Sequence, residues 1–331
     1  MEEAELAALA RRLRQLPLRV SEISVQRNDV AIPSYGEELR PTSTVELAGL
    51  GACGRGEYVG WTPAEHQAFG NHLRRVPRGE TTIARFALEI EECFAEPYAR
   101  AALEAAAIDL GLRQANQSMA TLCGHSFETV RYVRSFSPLA DPEADLPRLR
   151  VEAPGIEFKL DVNLWWSHDA LAAVAAAEDI AILDFKKKGS TVQALQIHHR
   201  IPGPLLEDPA GNASLPEAMR ARLSLDAEIA GSHPLRPIER HSPVAVNLKV
   251  PRIGSVLRLL DIAAFCAARG IGTYLGGMFE VDVGRRQALA LAALLCPSAP
   301  NDIAPIPGTG SISFPERLVP AADAPGFGAE N

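Results

Sequence analysis

Five charged residues close short apolar runs at nearly regular intervals: Asp161 after FKL, Asp184 after AIL, Glu207 after PLL, Asp226 after LSL and Lys249 after VAVNL. The intervals are 23, 23, 19 and 23 residues, the length of one strand-plus-helix unit. If each run is a strand of one parallel sheet, neighbours lie about 4.8 Å apart and the acids converge on one small volume. Bare carboxylates that close would repel and force a proton onto one of them, a conflict that a bound cation removes. An all-oxygen set of Asp and Glu suits Mg²⁺, with Mn²⁺ as the alternative ion. A lysine on the next strand adds a group able to move protons. Any one of these acids alone would more simply cap the helix that follows its strand; a run of them followed by a lysine favours a site.

The elements that must position these residues are legible in the rhythm of the chain. From Val130 onward, apolar runs alternate with helical patterns: VRYVRSF, IEFKLDV, DIAILDF, GPLLED, RLSLD, VAVNLK and GIGTYLGG, with a weaker eighth near NDIAPI. Seven or eight such units predict a closed β/α barrel, whose chemistry sits at the C-terminal strand ends. The first third differs. LRVSEISVQRNDVAI and STVELAGLGACGRGEYVGW read as antiparallel strands. PYARAALEAAAIDLGLRQAN reads as a helix with Ala101, Ala102, Ala105, Ala106 and Leu110 along one stripe. The expectation is an α/β fold, with an α+β capping domain over residues 1–127 and a modified (β/α)7β barrel over 128–331 ending in a Pro- and Gly-rich return segment.

Composition agrees with a globular protein. The chain has 331 residues, 47% hydrophobic and 22% charged, with a net charge of -8. That acidity argues against a nucleic-acid partner. Apolar runs stop short of the roughly 18 residues a membrane span needs, and MEEAELAALARRLRQL is amphipathic rather than signal-like, so a cytoplasmic protein is expected. Five widely spaced cysteines form no Cys-x-x-Cys pair, which points to reduced thiols.

The motifs together resemble the enolase superfamily, most closely its muconate-lactonizing-enzyme-like branch. Gly54-Arg55-Gly56-Glu57 resembles the Gly-x-Gly-Glu turn of that family's cap, and ARAALEAAAIDL its helix before the barrel. LLEDP resembles the fourth-strand Glu-x-Pro, VNLKVPRIGS the sixth-strand Lys-x-x-Arg-x-Gly and GGMFEVDVG the seventh-strand element. The resemblance implies a Mg²⁺-dependent lyase or isomerase that abstracts the proton α to the carboxylate of a small acid. It implies Asp184, Glu207 and Asp226 as metal ligands and Lys249 as the acid/base lysine, and it is compatible with a homo-oligomer. No histidine ends the seventh strand, which disfavours the mandelate-racemase-like branch, and His198, His199, His233 and His241 fall in helices or loops.

The sequence departs from the family pattern in one place. The second strand, which in the family carries Lys-x-Lys, reads Lys159-Leu160-Asp161, and the third reads Asp184-Phe185-Lys186. One lysine is missing from a strand and one is added to its neighbour. Because residues i and i+2 share a face, Lys186 is expected to reach the vacated volume, with Asp161 orienting it. Membership of a solvated Lys186–Lys188 run is the alternative. Lys249, ending an apolar strand, is expected to have a lowered pKa. Loss of the second-strand lysine also leaves open a catalytically silent homologue that only binds a ligand. Specificity is expected from Ile32–Ser43, Met278 and Phe279, with Trp165 and Trp166 as pocket walls or packing residues.

Overall fold

The computed structural model describes residues 1–31, 39–211, 215–231, 233–305, 314–320 and 324–328. Ile32 to Glu38 of the expected specificity loop lie outside the described residues. A short antiparallel pair joins β1 (Pro17–Val20) to β5 (Gly79–Thr82). Between them β2 (Glu22–Ala31), β3 (Leu39–Gly49) and β4 (Ala52–Tyr58) form an antiparallel meander.

The glycines of β4 are explained by what lies behind them. Gly54 and Gly56, two apart and therefore on one face, lie directly against the backbone of the helix Pro97–Gln114. A Cβ on Gly56 would stand 2.0 Å from Ala102 O, and one on Gly54 would stand 2.1 Å from Leu110 N. Gly56→Ala is therefore expected to cost roughly 1–3 kcal/mol, seen as a lower urea midpoint. Gly203→Ala, where a Cβ meets nothing within 4 Å, should leave the midpoint in place.

That helix is buried on all sides from Ala101 to Leu112, not along a single stripe. The reason is its place between the cap sheet and the barrel helices. Its two buried acids are tie points. Glu104 accepts from Ser255 Oγ and Leu257 N, both at 2.9 Å, at the start of the barrel helix Val256–Ala267. Asp109 accepts from Arg55 N at 2.9 Å and from Phe327 N at 2.7 Å.

Seven parallel strands follow, in sheet order equal to chain order: β6 (Val133–Phe136), β7 (Glu157–Asp161), β8 (Ile180–Asp184), β9 (Leu205–Glu207), β10 (Leu223–Leu225), β11 (Ala245–Leu248) and β12 (Gly272–Leu275). The expected eighth strand is reduced to two parallel bridges, Tyr132 with Asn301 and Gly276 with Asp302, which link β12 to the entry of β6. The buried Asn301 side chain secures this junction, accepting from Leu275 N at 2.8 Å and donating to Arg131 O at 3.0 Å. The fold is thus a modified β/α barrel with an N-terminal cap. Its interior holds a small apolar plug of Val133, Ile182, Ala245 and Tyr274. The main core lies between the strands, the helices and the cap. No helix among the described residues is long and apolar enough to cross a membrane.

Candidate active site

Strand register lines up the acids. Asp161 pairs with Asp184, and Asp184 with Glu207, so three carboxylates stand in one row across β7, β8 and β9. Ser224 continues the row on β10, and Asp226 lies two residues further on. Lys249 follows the end of β11. β7 and β11 are four staves apart in an eight-stave barrel, so Lys159 and Lys249 approach the mouth from opposite sides.

Lys159 begins one layer below the acid row, paired with Ser135 and Ile182, and is only 1% exposed. Its ammonium lies 3.1 Å from Asp184 Oδ2 and 3.1 Å from Asp302 Oδ2, and it donates to Glu207 Oε1. Burial alone would lower its pKa. Asp302, Glu207 and Asp184 outweigh burial and hold it well above the ordinary lysine value. Asp184 is correspondingly held below the usual carboxylate range: burial pushes it up, and Lys159 and Lys186 pull it down further.

Burial, Asp184 and Asp226 push Glu207 up to about 8, while Lys159 pulls the other way. The hydrogen bonds decide between these influences. Glu207 Oε2 accepts from the Tyr274 hydroxyl and from Asn247 Nδ2 at 3.3 Å, while Oε1 accepts from Lys159. Three donors on two oxygens mark an ionised carboxylate. Tyr274 is in turn held by Ser224 Oγ at 2.7 Å.

Lys186 faces the acids, by a route the pleat does not provide. The strand ends at Asp184, and Lys186 and Lys187 adopt φ of 51° and 58°. That left-handed turn folds Lys186 back, so that its N–H donates to Asp184 Oδ1 at 2.9 Å and its ammonium meets Asp184 Oδ2 and, at 3.1 Å, Asp161 Oδ1. Burial and Lys159 would lower the Lys186 pKa; Asp184 and Asp161 override them and raise it. The side chain is 44% exposed, so solvent screening tempers that rise. Asp161 is pushed up by burial and by Asp184, against Lys186. Asp208 and Phe279 also have positive φ, 47° and 71°, so four non-glycine residues with left-handed backbone cluster at the strand ends.

Lys249 does not stand among apolar neighbours, as its strand suggested. Its ammonium is 2.9 Å from Asp226 Oδ2, and Arg252 takes the other oxygen of Asp226. Gly276 makes room for it: a Cβ there would stand 2.3 Å from Asn247 Oδ1 and 2.5 Å from Lys249 Cε. Asn247 Oδ1 is buried without a partner, leaving one acceptor beside Lys249. Glu57 reaches across from the cap and accepts from the backbone N–H groups of Val281, Asp282 and Gly284 at 2.8, 3.1 and 3.0 Å, fixing the loop after β12. Burial pushes Glu57 up to about 7.

Among the other sequence candidates, Met278 is buried and touches Arg252, its Sδ 3.5 Å from Arg252 Nη2. Phe279 packs edge-on to Trp61 of the cap. Trp166 is a packing residue, donating to Leu139 O at 2.9 Å, and Trp165 is 85% exposed. His198 is occupied by Arg222 outside the mouth. The sequence reading missed Asp302, Tyr274, Asn247 and Arg252 as members of the cluster. Two of them carried a signal: Asn247 is two residues before Lys249 on the same strand face, and Asp302 stands in the weak eighth run. A cleft of about 550 Å³ lies away from this cluster, between Met1–Glu3 and the entry end of β12.

Residues 11–122 match the N-terminal domain, and residues 126–307 the C-terminal domain, of a family described as Domain of unknown function (DUF8230). An o-succinylbenzoate synthase of Enterococcus faecalis is 36% identical over 98 residues, 29% of this chain and 27% of that protein. An N-succinylamino acid racemase of Amycolatopsis is 27% identical over 62% of this chain and 59% of that protein. The chain thus spans less than two thirds of the length of these relatives. A dipeptide epimerase from Methylococcus capsulatus, solved with Mg and the dipeptide L-Arg-D-Lys, has the same fold: TM-score 0.78 at 18% identity, covering 94% of this chain and 99% of that one. The chain belongs to the DUF8230 family; its curated relatives and its fold support a divergent, muconate-lactonizing-enzyme-like member of the enolase superfamily.

A divalent ion is tested against the side chains as they stand. Asp184, Glu207 and Asp226 have the right donor chemistry, but all their oxygens are engaged by Lys159, Lys186, Lys249, Arg252, Tyr274, Asn247 or backbone N–H. Among the described residues no three acid, histidine or cysteine groups are placed to hold a metal. The present arrangement therefore does not fit the ion.

Proposed function

We propose that this chain abstracts the proton α to the carboxylate of a small acid, and that the resulting enediolate goes on to elimination, cycloisomerisation or epimerisation. The observation that carries this reading is the placement of Lys249 on one side of the acid-lined mouth and of Lys159 and Lys186 on the other. Lys249 is the acid/base residue: as a free amine its Nζ takes the α-proton, and as an ammonium it returns one to the carbanion or to a leaving group. Asp226 and Gly276 hold it in place for this. Charge that develops on the carboxylate oxygens is met by cations already fixed in a site with little water, where they act strongly. Lys186, half exposed at the rim, is the one best able to turn towards substrate.

The names of the relatives support the substrate class: N-acyl amino acids, dipeptides and succinylbenzoate-type acids. Lys186→Ala is expected to slow α-proton exchange about 10²-fold, by analogy with loss of one oxyanion donor. Lys188→Ala, at an exposed position, should behave like the parent chain. Equal rates for all three proteins would place Lys186 outside the reaction. A ligand-binding homologue without enediolate chemistry is the second reading. It is favoured by Asp161 standing where the family has a lysine, and by the absence of solvent-proton exchange if that is found.

A further inference from the structure

The cation that the carboxylate row calls for is already present, on a side chain. Lys159 rises along the barrel axis from the layer beneath, and its ammonium meets three carboxylates from two strands and the closing stave: it donates hydrogen bonds to Glu207 and Asp302 and forms an ion pair with Asp184 at 3.1 Å. One positive charge is thus shared by three buried acids. The remaining oxygens of the expected trio are occupied as well: Glu207 Oε2 by Tyr274 and Asn247, Asp226 by Lys249 and Arg252.

We propose that Lys159 is the resident cation of this carboxylate cluster, so that its ammonium and a divalent ion are alternative occupants. The proposal rests on the reading of this cluster as the reaction centre. Mg²⁺ or Mn²⁺ requires close oxygen ligands in a near-octahedral shell. An ammonium bonded to two of those ligands takes their lone pairs and repels a second cation at short range. Metal entry therefore requires Lys159 to leave Asp184 and Glu207. Asp302 provides the place for it to go, since it already bonds the ammonium and is itself held by Ser135 Oγ. The row of acids thus has a built-in positive charge, which the sequence pattern of three metal-ligand acids conceals.

The test is Mn²⁺ binding to the metal-stripped full chain, followed by electron paramagnetic resonance of the free ion, with Mg²⁺ as competitor. Lys159→Gln, which removes the charge and keeps much of the length, is expected to bind Mn²⁺ at least about tenfold more tightly than the parent. Stoichiometric binding by the parent at micromolar protein, with no gain in Lys159→Gln, overturns the proposal. If the variant does not fold, the parent decides the matter: weak, sub-stoichiometric binding supports a resident lysine and stoichiometric binding contradicts it. A chain that shows this metal behaviour yet exchanges no α-proton would retain the assignment of Lys159 and lose the functional reading.

Discussion

Lys249→Ala is expected to slow α-proton exchange at least about 10³-fold, the effect of removing a positioned acid/base group. The fold should survive, because Asp226 keeps Arg252 as a partner and accepts no unpaired buried charge in exchange. The truncation also opens a space beside Gly276 and Asn247, next to the unpartnered Asn247 Oδ1. A small primary amine added to the solution should enter that space and restore part of the rate, with a dependence on the concentration of the free amine. Loss without rescue, accompanied by a changed circular dichroism spectrum, would instead make Lys249 a structural partner of Asp226. Unchanged exchange would assign the base elsewhere.

Glu207→Ala is expected to cost roughly 3–5 kcal/mol of stability, the usual effect of leaving a buried charge without its partner. Glu207 is fully buried and answers three donors, so truncation leaves the Asn247 amide without its acceptor, leaves the Tyr274 hydroxyl only Ser224, and removes one of three carboxylates from Lys159. Urea unfolding measures this directly. Glu207→Gln keeps the shape and one acceptor, so its midpoint should lie between those of the parent and the alanine variant. If Glu207→Ala unfolded at the parent's midpoint, the buried network would contribute little to stability.

The barrel was readable because its strands are short apolar runs alternating with helical patterns, five of them closed by a charged residue, and the capping sheet because its strands alternate and are punctuated by glycine. The acids Asp184, Glu207 and Asp226 were readable as three of those closing residues. The remainder depended on information that no local window holds. Asp302 joins the cluster only because the chain closes the barrel through two bridges between distant residues. Tyr274 looks like an ordinary strand aromatic until Ser224 and Glu207 are seen on either side of it. Lys186 was expected near Asp184 on an argument from pleating, whereas the structure brings it there through a left-handed turn after the strand has ended. The helix Pro97–Gln114 has a stripe in sequence but is enclosed in space, since its alanines permit close approach on every side. Lys159 is the sharpest case. Sequence spacing puts it below the acids, and only the length of its side chain carries the ammonium up among them.

The central claim is that this mouth forms an enediolate, and washing of solvent deuterium into substrate tests it most directly. The full chain is incubated in D₂O with N-succinyl amino acids, dipeptides and succinylbenzoate-type acids, with and without Mg²⁺, and the α-proton resonance is followed by NMR. The account predicts that the α-proton signal of at least one of these acids decays in the presence of the parent chain and persists with Lys249→Ala. Persistence of every α-proton signal with folded parent protein, under both metal conditions, would contradict it.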